Sequence, residues 1–219
     1  WQFVQLNPDG SNDRIISPPG VQETNASLDS ARTKMAFLQG TGTARYVKIR
    51  ALDGGYERTV AGPGNYTSVS LSPNGTWISY RRQNGSVNNG TLFTQKVDGT
   101  ATIGGSGGGP QNFPGFDSTT GTPRSRSGWT PDSNFVIYED TDSLRWVCLR
   151  DGNSGTLLSP VPHGATINEQ PYAPTVYDDG SGHERVLFSF GNHDPILSSI
   201  PLSRSGNSIT EVNPGTPAP

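Results

Sequence analysis

The sequence predicts an all-β protein, a β-propeller built of four-stranded blades, and three observations carry that prediction. The composition is poor in helix formers, a hairpin pattern recurs four times, and a second turn recurs at regular intervals. Among 219 residues there are 28 glycines and 18 prolines, against three lysines, six glutamates and one methionine. This balance favours turns and strands over helices. Apolar residues make up only 31% of the chain, but they cluster in short runs, which indicates an ordered core.

Four segments combine an acidic or proline-containing turn with an apolar alternation behind it. They cover residues 27–38, 71–80, 129–138 and 177–190. In Ser72-Pro73-Asn74-Gly75, proline pre-sets the second turn position, asparagine suits the third, and glycine accepts the positive φ that follows. Each segment therefore predicts a β-hairpin.

A second turn follows each hairpin, and its sequence centres on a glycine. The four turns are Leu52-Asp53-Gly54-Gly55, Val97-Asp98-Gly99-Thr100, Arg150-Asp151-Gly152-Asn153 and Ser205-Gly206-Asn207. Asn7-Pro8-Asp9-Gly10 gives the same signal near the start, so the turn glycines are separated by 44, 45, 53 and 54 residues. Such spacing is typical of four-stranded propeller blades.

The second repeat is the most complete, and it resembles a known family. Leu71-Ser72-Pro73-Asn74-Gly75-Thr76-Trp77-Ile78-Ser79-Tyr80, followed by Leu92-Phe93-Thr94-Gln95-Lys96-Val97-Asp98-Gly99, is similar to the TolB-type (WD-like) propeller repeat; Trp129-Thr130-Pro131-Asp132 is similar too. The resemblance covers nearly the whole chain and implies a fold. It does not imply one activity, because such repeats serve interaction proteins, peptidase accessory domains, polysaccharide lyases and sugar binders.

The repeats divide the chain into one propeller domain with an uneven blade count. We predict full blades at 21–60, 61–103, 125–160 and 165–213, a long Gly/Pro-rich loop at 104–124, and the outer hairpin of an incomplete blade at 1–16. An unclosed propeller leaves strand edges that proteins normally pair or cover. The N-terminal strands are therefore expected to pair beside the last blade, from Val186 to Val212, or with a neighbouring chain. A homo-oligomer or a second chain that completes a larger propeller remains open.

Charge and hydropathy argue against two classes of partner. The net charge is −3, and no basic run interleaves with aromatic residues, so we expect no nucleic-acid binding. No apolar stretch approaches the roughly 20 residues needed to span a bilayer, so we expect no membrane insertion.

Two features favour an extracellular glycoprotein. The chain starts at Trp1 rather than methionine, which is compatible with processing of a secreted precursor. Five glycosylation sequons lie in the first half of the chain, at Asn25, Asn65, Asn74, Asn84 and Asn89. We therefore expect secretion, with these asparagines as candidate glycosylation sites.

Catalytic and metal-binding constellations are weak in this sequence, so we predict no cofactor, no metal site and no catalytic residue. His163, His183 and His193 are the only histidines, and the last two fall in polar turns that need no functional explanation. Cys148 stands in an apolar strand and is expected to be buried and inert. Trp77, Trp129 and Trp146 stand within predicted strands, where they are expected to fill the interfaces between blades.

The remaining aromatic residues suggest a binding function. Three tyrosines lie near turns and could stack on a sugar ring, aided by hydrogen bonds from Asn, Asp and Arg side chains. With two histidines added, the candidate ligand-binding residues are Tyr56, Tyr66, Tyr172, His183 and His193. The leading prediction is a lectin-like carbohydrate-binding protein. One alternative is a TolB-like propeller that binds a protein ligand. The other is a polysaccharide lyase or hydrolase, which would require the histidines to converge with an acidic residue.

Overall fold

The computed structural model describes residues 3–5, 14–83, 89–99, 111–117, 127–140, 143–158, 171–190 and 196–211, and every regular element in these ranges is a β-strand. Sixteen strands form four antiparallel sheets of four. In the first three sheets the strands are β3 (Glu23–Leu28), β4 (Lys34–Gln39), β5 (Arg45–Ala51) and β6 (Glu57–Gly64); β7 (Tyr66–Leu71), β8 (Trp77–Gln83), β9 (Asn89–Lys96) and β10 (Gln111–Asp117); β11 (Gly128–Trp129), β12 (Phe135–Asp140), β13 (Ser143–Cys148) and β14 (Ser154–Leu158). The fourth contains β15 (Pro171–Asp178), β16 (Glu184–Phe190), β17 (Ile196–Ser205) and β18 (Ser208–Glu211). Each sheet is a meander in chain order, as expected for a propeller blade.

The blades stack in sequence, and a hydrophobic cluster fills each junction. Strands β3 and β4 pack on β7, β10 packs on β12, and β11 and β12 pack on β15. One cluster, around Ile49 and Ile78, joins the first two blades. A second, around Leu92 and Val136, joins the second and third, and a third, around Phe188, joins the third and fourth. Within the described ranges, no extensive contact joins the fourth blade to the first.

The hairpin turns confirm the repeat pattern. In each blade a side-chain oxygen at the start of the first turn accepts one or two backbone N–H groups, from the turn, from the first residue of the following strand, or from both. The accepting residues are Asp29, Ser72, Thr130 and Asp179. The second-turn glycines Gly54, Gly99, Gly152 and Gly206 all have positive φ. The first and third blades lack glycine in the first turn, and there Arg32 and Ser133 adopt positive φ instead.

Two blade boundaries differ from the sequence prediction, because segments rich in proline and glycine were predicted as loops or strand ends and are strands. Strand β6 continues through Gly62-Pro63 to Gly64, beyond the boundary set at residue 60, and β10 lies inside the predicted loop 104–124. Both strands are at the edge of their sheet. A proline is tolerated in such a strand because one side of its backbone has no ladder partner, and Pro114 pairs with Thr91 on the inner side only.

The N-terminal hairpin does not lie beside the fourth blade, where the sequence predicted it. Among the described strands, β1 (Val4–Gln5) and β2 (Arg14–Ile15) pair only with each other, so the expected pairing beside the last blade is wrong. The alternative, pairing with a neighbouring chain, stays a prediction. The ring of Phe3 packs edge-on against Phe37, with centroids 6.4 Å apart. Phe37 points away from the second blade, because it alternates along β4 with Ala36 and Leu38, which face that blade. The hairpin therefore covers the face of the first blade that points away from the second blade.

A buried ion pair fixes this segment to the first blade. Arg50 binds Glu23 at 2.6 Å, and the Glu23 side chain is fully buried. Arg50 also donates through Nη1 to the carbonyl oxygen of Ile16 at 2.7 Å, and Ser17 donates to Glu23 at 2.6 Å. These bonds explain why the chain before β3 turns towards the first blade and not towards the fourth.

Candidate functional site

One position recurs at the same place in the first three blades. Lys34, Trp77 and Phe135 are each the first residue of the second strand, and the carbonyl oxygen of each accepts the N–H of the residue that begins the preceding turn. Trp77 packs against the cluster between the second and third blades. Phe135 is buried in the cluster between the third and fourth. An aromatic ring therefore fills this end of two interfaces, the one between the second and third blades and the one between the third and fourth.

The first blade has Lys34 at this position, and the interface with the second blade contains a pocket of about 410 Å³. The first blade contributes Lys34, Tyr56 and Arg58, from the starts of β4 and β6. The second blade contributes Gly75 and Thr76 from its first turn, and Lys96, Val97 and Asp98 from the end of β9 and its turn. We call this feature the interblade pocket.

Backbone and aromatic contacts hold the three cations that line the interblade pocket. Lys34 donates through Nζ to the carbonyl oxygen of Gly75 at 3.1 Å, and Arg58 donates through Nη1 to that of Val97 at 3.0 Å. Lys96 pairs with Trp77 across β8 and β9, and its Nζ lies 5.8 Å from the centre of that ring, within range of a cation–π interaction. Its charge therefore lies on the face of the second blade that packs on the third. Among the described residues, none of the three makes an ion pair within 4.0 Å. Lys34 and Arg58 are therefore held by backbone oxygens of the second blade, and the carboxylate of Asp98 lines the same pocket.

Nearby carboxylates affect the groups at the pocket without pairing with its cations. Burial would raise the pKa of Asp29, but hydrogen bonds from the Thr33 hydroxyl and from the backbone N–H groups of Lys34 and Thr33, together with the charge of Lys34, lower it. Burial raises the pKa of Tyr56, and the charges of Asp29 and Asp53 raise it further. Tyr56 therefore stays protonated and able to donate a hydrogen bond at neutral pH.

The corresponding end of the interface between the third and fourth blades is closed by a different arrangement. Arg204 lies 5.3 Å above the centre of the Phe135 ring and pairs with both Asp132 and Glu184. Burial alone would raise the pKa of Asp132, but hydrogen bonds from Arg204 and Thr130 outweigh it and lower the pKa to about 2. Here the cation pairs directly with two carboxylates, whereas Lys34 and Arg58 at the interblade pocket donate to backbone carbonyl oxygens.

The tyrosines predicted from the sequence divide between the pocket and the core. Tyr56 is 42% exposed and lines the interblade pocket. Tyr66 is only 5% exposed, and its ring packs edge-on against Tyr80 at 5.5 Å. The expectation that Tyr66 lies at a surface site is therefore wrong, because as the first residue of β7 it faces the first blade and its hydrophobic cluster. Tyr172 lies in β15, and its side chain is outside the described part of the structure.

The histidines give no cluster in the described part of the chain. His183 is exposed in the turn before β16, with Nδ1 2.9 Å from Ser181 Oγ and 4.0 Å from Asp179. His163 and His193 lie outside the described residues, so their convergence stays a prediction. No group of three His, Cys, Asp or Glu side chains that could hold a metal occurs in the described ranges, nor does any helix able to cross a membrane.

Buried aromatic residues and the cysteine follow the sequence expectation, with one difference. Trp129 and Trp146 are buried, as is Cys148. Trp77 is only half-buried, because its ring lies at the end of the interface beside Lys96.

The described sequons differ in how freely their side chains could carry a glycan. Asn25 donates its amide to the carbonyl oxygen of Thr67 at 3.1 Å, and Asn65 donates to Gln83 at 2.9 Å. Asn74 is exposed and uses its oxygen, not its nitrogen, to accept hydrogen bonds in the first turn of the second blade. Asn84 lies outside the described residues, and only the backbone of Asn89 is described. Glycosylation stays a prediction, and Asn74 is the described site best placed for it.

Sequence reasoning missed Lys34, Arg58 and Lys96. A signal was present for Lys34, since aligning the repeats places it at the position of Trp77 and Phe135. No comparable signal marked Arg58 or Lys96, because their meeting depends on the packing of β6 against the turn after β9. The pocket could be recognised only once the blades were in contact.

Comparison with known proteins identifies the fold. No protein-family model matches the chain, and no curated protein matches it by sequence. A putative TolB from Agrobacterium tumefaciens aligns with a TM-score of 0.55 and 12% identity, over 95% of this chain and 68% of its own. A chain of the nidogen/laminin complex aligns with a TM-score of 0.51 and 12% identity, over 96% of this chain and 80% of its own.

A third match extends the comparison to a protein described simply as a propeller. The Dos1 propeller aligns with a TM-score of 0.55 and 8% identity, over 87% of this chain and 48% of its own. The sequence prediction is thus confirmed at the level of the fold: the four-stranded antiparallel blades have a β-propeller fold similar to that of the TolB-like structure. The chain spans about two thirds of the TolB-like structure and about half of the Dos1 propeller.

Proposed function

We propose that this chain is a protein-interaction propeller that binds a partner through the end of the blades that carries the interblade pocket. The observation that carries the proposal is the pocket itself, lined by Lys34, Arg58 and Lys96 where later interfaces are filled or neutralised. Lys34 is half-buried and Arg58 is exposed, and each donates to a backbone carbonyl oxygen of the second blade. Each keeps further N–H groups that hydrogen-bond acceptors of a partner can use.

The fold neighbours support a binding role for such a propeller. One of them was determined in a complex of nidogen with laminin, so a propeller of this kind takes part in a protein–protein complex. At 12% identity this similarity transfers no contact residues to the present chain. The proposal for this chain therefore depends on its own pocket.

Carbohydrate binding remains an alternative proposal. Tyr56 offers an exposed ring at the pocket, and such rings stack on sugars. Of the other residues predicted for a lectin-like site, Tyr66 is buried and His183 belongs to a turn of the fourth blade. A lectin site here would thus rest on a single tyrosine and the pocket cations.

Closing the pocket should abolish partner binding. Lys34→Trp introduces the residue that the second blade has at the same position, so the ring should fill the pocket as Trp77 fills the next interface. Immobilised wild-type protein and this variant would be incubated with extract from the native source, and retained proteins quantified by mass spectrometry. We expect a partner that the wild-type protein enriches about tenfold over the Lys34→Trp variant, as expected when ligand contacts in a pocket are replaced by a clash.

Two controls separate this outcome from trivial ones. Thr43→Trp adds the same side chain in the exposed turn before β5, at the other end of the blade, and should retain the partner. Enzymatic deglycosylation of the extract should leave retention intact for protein recognition but abolish it for a lectin. Identical sets of proteins on wild-type and Lys34→Trp matrices would contradict the proposed function, provided both proteins give cooperative unfolding curves.

A further inference from the structure

We infer that a second copy of this chain docks head to tail on the two end faces of the blade stack, an inference that goes beyond the proposed function and does not rest on it. One end face is the side of the first blade that points away from the second, together with the N-terminal hairpin that lies on it. The other is the side of the fourth blade that points away from the third. Within the described ranges, no following or preceding blade packs extensively on either face.

Exposed apolar side chains concentrate on the end face of the first blade. Six large hydrophobic side chains are exposed among the described residues: Val4, Ile15, Leu28, Tyr46, Tyr56 and Leu197. Val4 and Ile15 are a cross-strand pair of the hairpin, and Val4 points away from the blade because the adjacent Phe3 points towards it. Leu28 pairs with Met35 and Tyr46 with Gln39, two residues on the same side of β4 as Phe37. Four of the six therefore belong to this face.

A fifth exposed hydrophobic side chain lies on the end face of the fourth blade. Val186, Phe188 and Ile200 belong to the cluster shared with the third blade, so the residues that alternate with them point the other way. Leu187 and Leu197 are among those residues, and Leu197 is 59% exposed. Only Tyr56, at the interblade pocket, stands apart from both end faces.

Comparison with the first blade shows that a following blade suits the face of the fourth. Lys34 and His183 are equivalent, because the carbonyl oxygen of each accepts the N–H at the start of the first turn of its blade. Leu38 and Leu187 lie four residues beyond them. The second blade buries Leu38 completely, whereas Leu187 is only half-buried. The fourth blade thus presents an apolar position that packs against the next blade where one is present.

Head-to-tail docking satisfies both end faces, whereas pairing two fourth blades with each other leaves the hairpin uncovered. Such pairing would also bring two identical faces together, each with the cation of Arg185, and like charges in contact are costly. On the first blade, Arg50 pairs with Glu23 and Glu57, and Lys48 pairs with Glu57. Burial of these four side chains under a second copy leaves none of them without a partner.

The size of the end faces favours a closed dimer over a single contact. Four strands spaced about 4.8 Å apart and about six residues long give a face of about 400 Å². A closed dimer uses both faces of each copy, or about 800 Å² per copy, which is the usual size of a stable interface. Heterologous contacts of this kind form a ring when the rotation closes, and two stacks of four blades give eight, within the range of known propellers.

Sedimentation velocity tests the inference with three matched substitutions. The wild-type chain should sediment as a dimer. Ile15→Asp and Leu197→Asp each place a carboxylate on one end face, and each should weaken dimerisation at least about tenfold because that charge would be buried without a partner. Tyr56→Asp makes the corresponding change at the exposed hydrophobic residue outside both faces and should alter dimerisation less than about twofold.

Two results of this experiment would overturn the inference. One is a wild-type chain that remains monomeric at about 100 μM, because an association weaker than that is not a stable interface. The other is an equal loss of dimer in all three variants. Thermal unfolding verifies that each variant is folded, which we expect because all three side chains are exposed.

Cysteine crosslinking separates head-to-tail docking from the other arrangements. A chain carrying Leu197→Cys is mixed with a differently tagged chain carrying Ile15→Cys and oxidised; Cys148 is buried and does not compete. We expect the mixed disulfide dimer as the main product. Predominant dimers of Leu197→Cys with itself would indicate pairing of two fourth blades. Predominant closure within one chain of the double variant would show that its own hairpin covers the fourth blade. Either result would contradict head-to-tail docking of a second copy.

Discussion

Replacing Arg81 with methionine is expected to lower the free energy of unfolding by about 3–5 kcal/mol, the loss typical of removing one member of a buried ion pair. Arg81 in β8 lies 3.2 Å from the Glu139 carboxylate in β12, and both side chains are almost completely buried. Arg81 also donates to the carbonyl oxygen of Glu139 at 2.9 Å. The pair joins the second blade to the third, and the variant removes the Arg81 cation from the buried Glu139 carboxylate. Urea denaturation, followed by tryptophan fluorescence, measures the loss.

The double variant Arg81→Met with Glu139→Leu is the control for this effect. Removing both charges eliminates the uncompensated carboxylate, so most of the stability should return. If the double variant is as unstable as Arg81→Met alone, the loss comes from packing and not from the buried charge. Such a result would contradict the electrostatic account of this interface.

Replacing Gly128 with alanine should destabilise the junction of the third and fourth blades by about 1–3 kcal/mol, the usual cost of overpacking. A Cβ atom at Gly128 in β11 would lie 2.5 Å from the carbonyl oxygen of Pro174 and 3.0 Å from its carbonyl carbon in β15. These are backbone atoms of a paired strand, so they cannot rotate away as a side chain can. The two strands would have to separate, and the buried surface between the blades would decrease.

Gly55→Ala provides the matched control for Gly128→Ala. The nearest atom to a Cβ at Gly55 is an Asp53 carboxylate oxygen at 3.1 Å, at the end of an exposed and movable side chain. This variant should stay close to the stability of the wild-type protein, measured by the same denaturation. A loss at Gly55 equal to that at Gly128 would contradict a close contact between β11 and β15.

The parts of the fold that could be predicted are those determined by local sequence. The second turn of each blade has a glycine with positive φ, at Gly54, Gly99, Gly152 and Gly206. Because glycine is strongly preferred in that conformation, its spacing in the sequence predicts these turns. Strand alternation located the core in the same way. These signals depend on neighbours within a few residues, and they gave the blades and their number.

The parts that could not be predicted depend on contacts between distant segments. Strand β10 contains Pro114 and follows a glycine-rich segment, so only its pairing with β9 reveals it as a strand. The N-terminal hairpin packs on Phe37 because Arg50 and Glu23 draw the chain to that face. The pocket likewise exists because two blades meet there, and its cations come from separate strands and turns.

Site-specific photocrosslinking tests the central claim of a partner-binding interblade pocket most directly. A benzoylphenylalanine residue would replace Thr76, which lines the pocket, or Thr43, in the exposed turn at the other end of the first blade. The partner retained by the wild-type protein should crosslink on irradiation to position 76 and not to position 43. Crosslinking at position 43 that equals or exceeds that at position 76 would contradict the account, because it would place the partner at the opposite end of the blades.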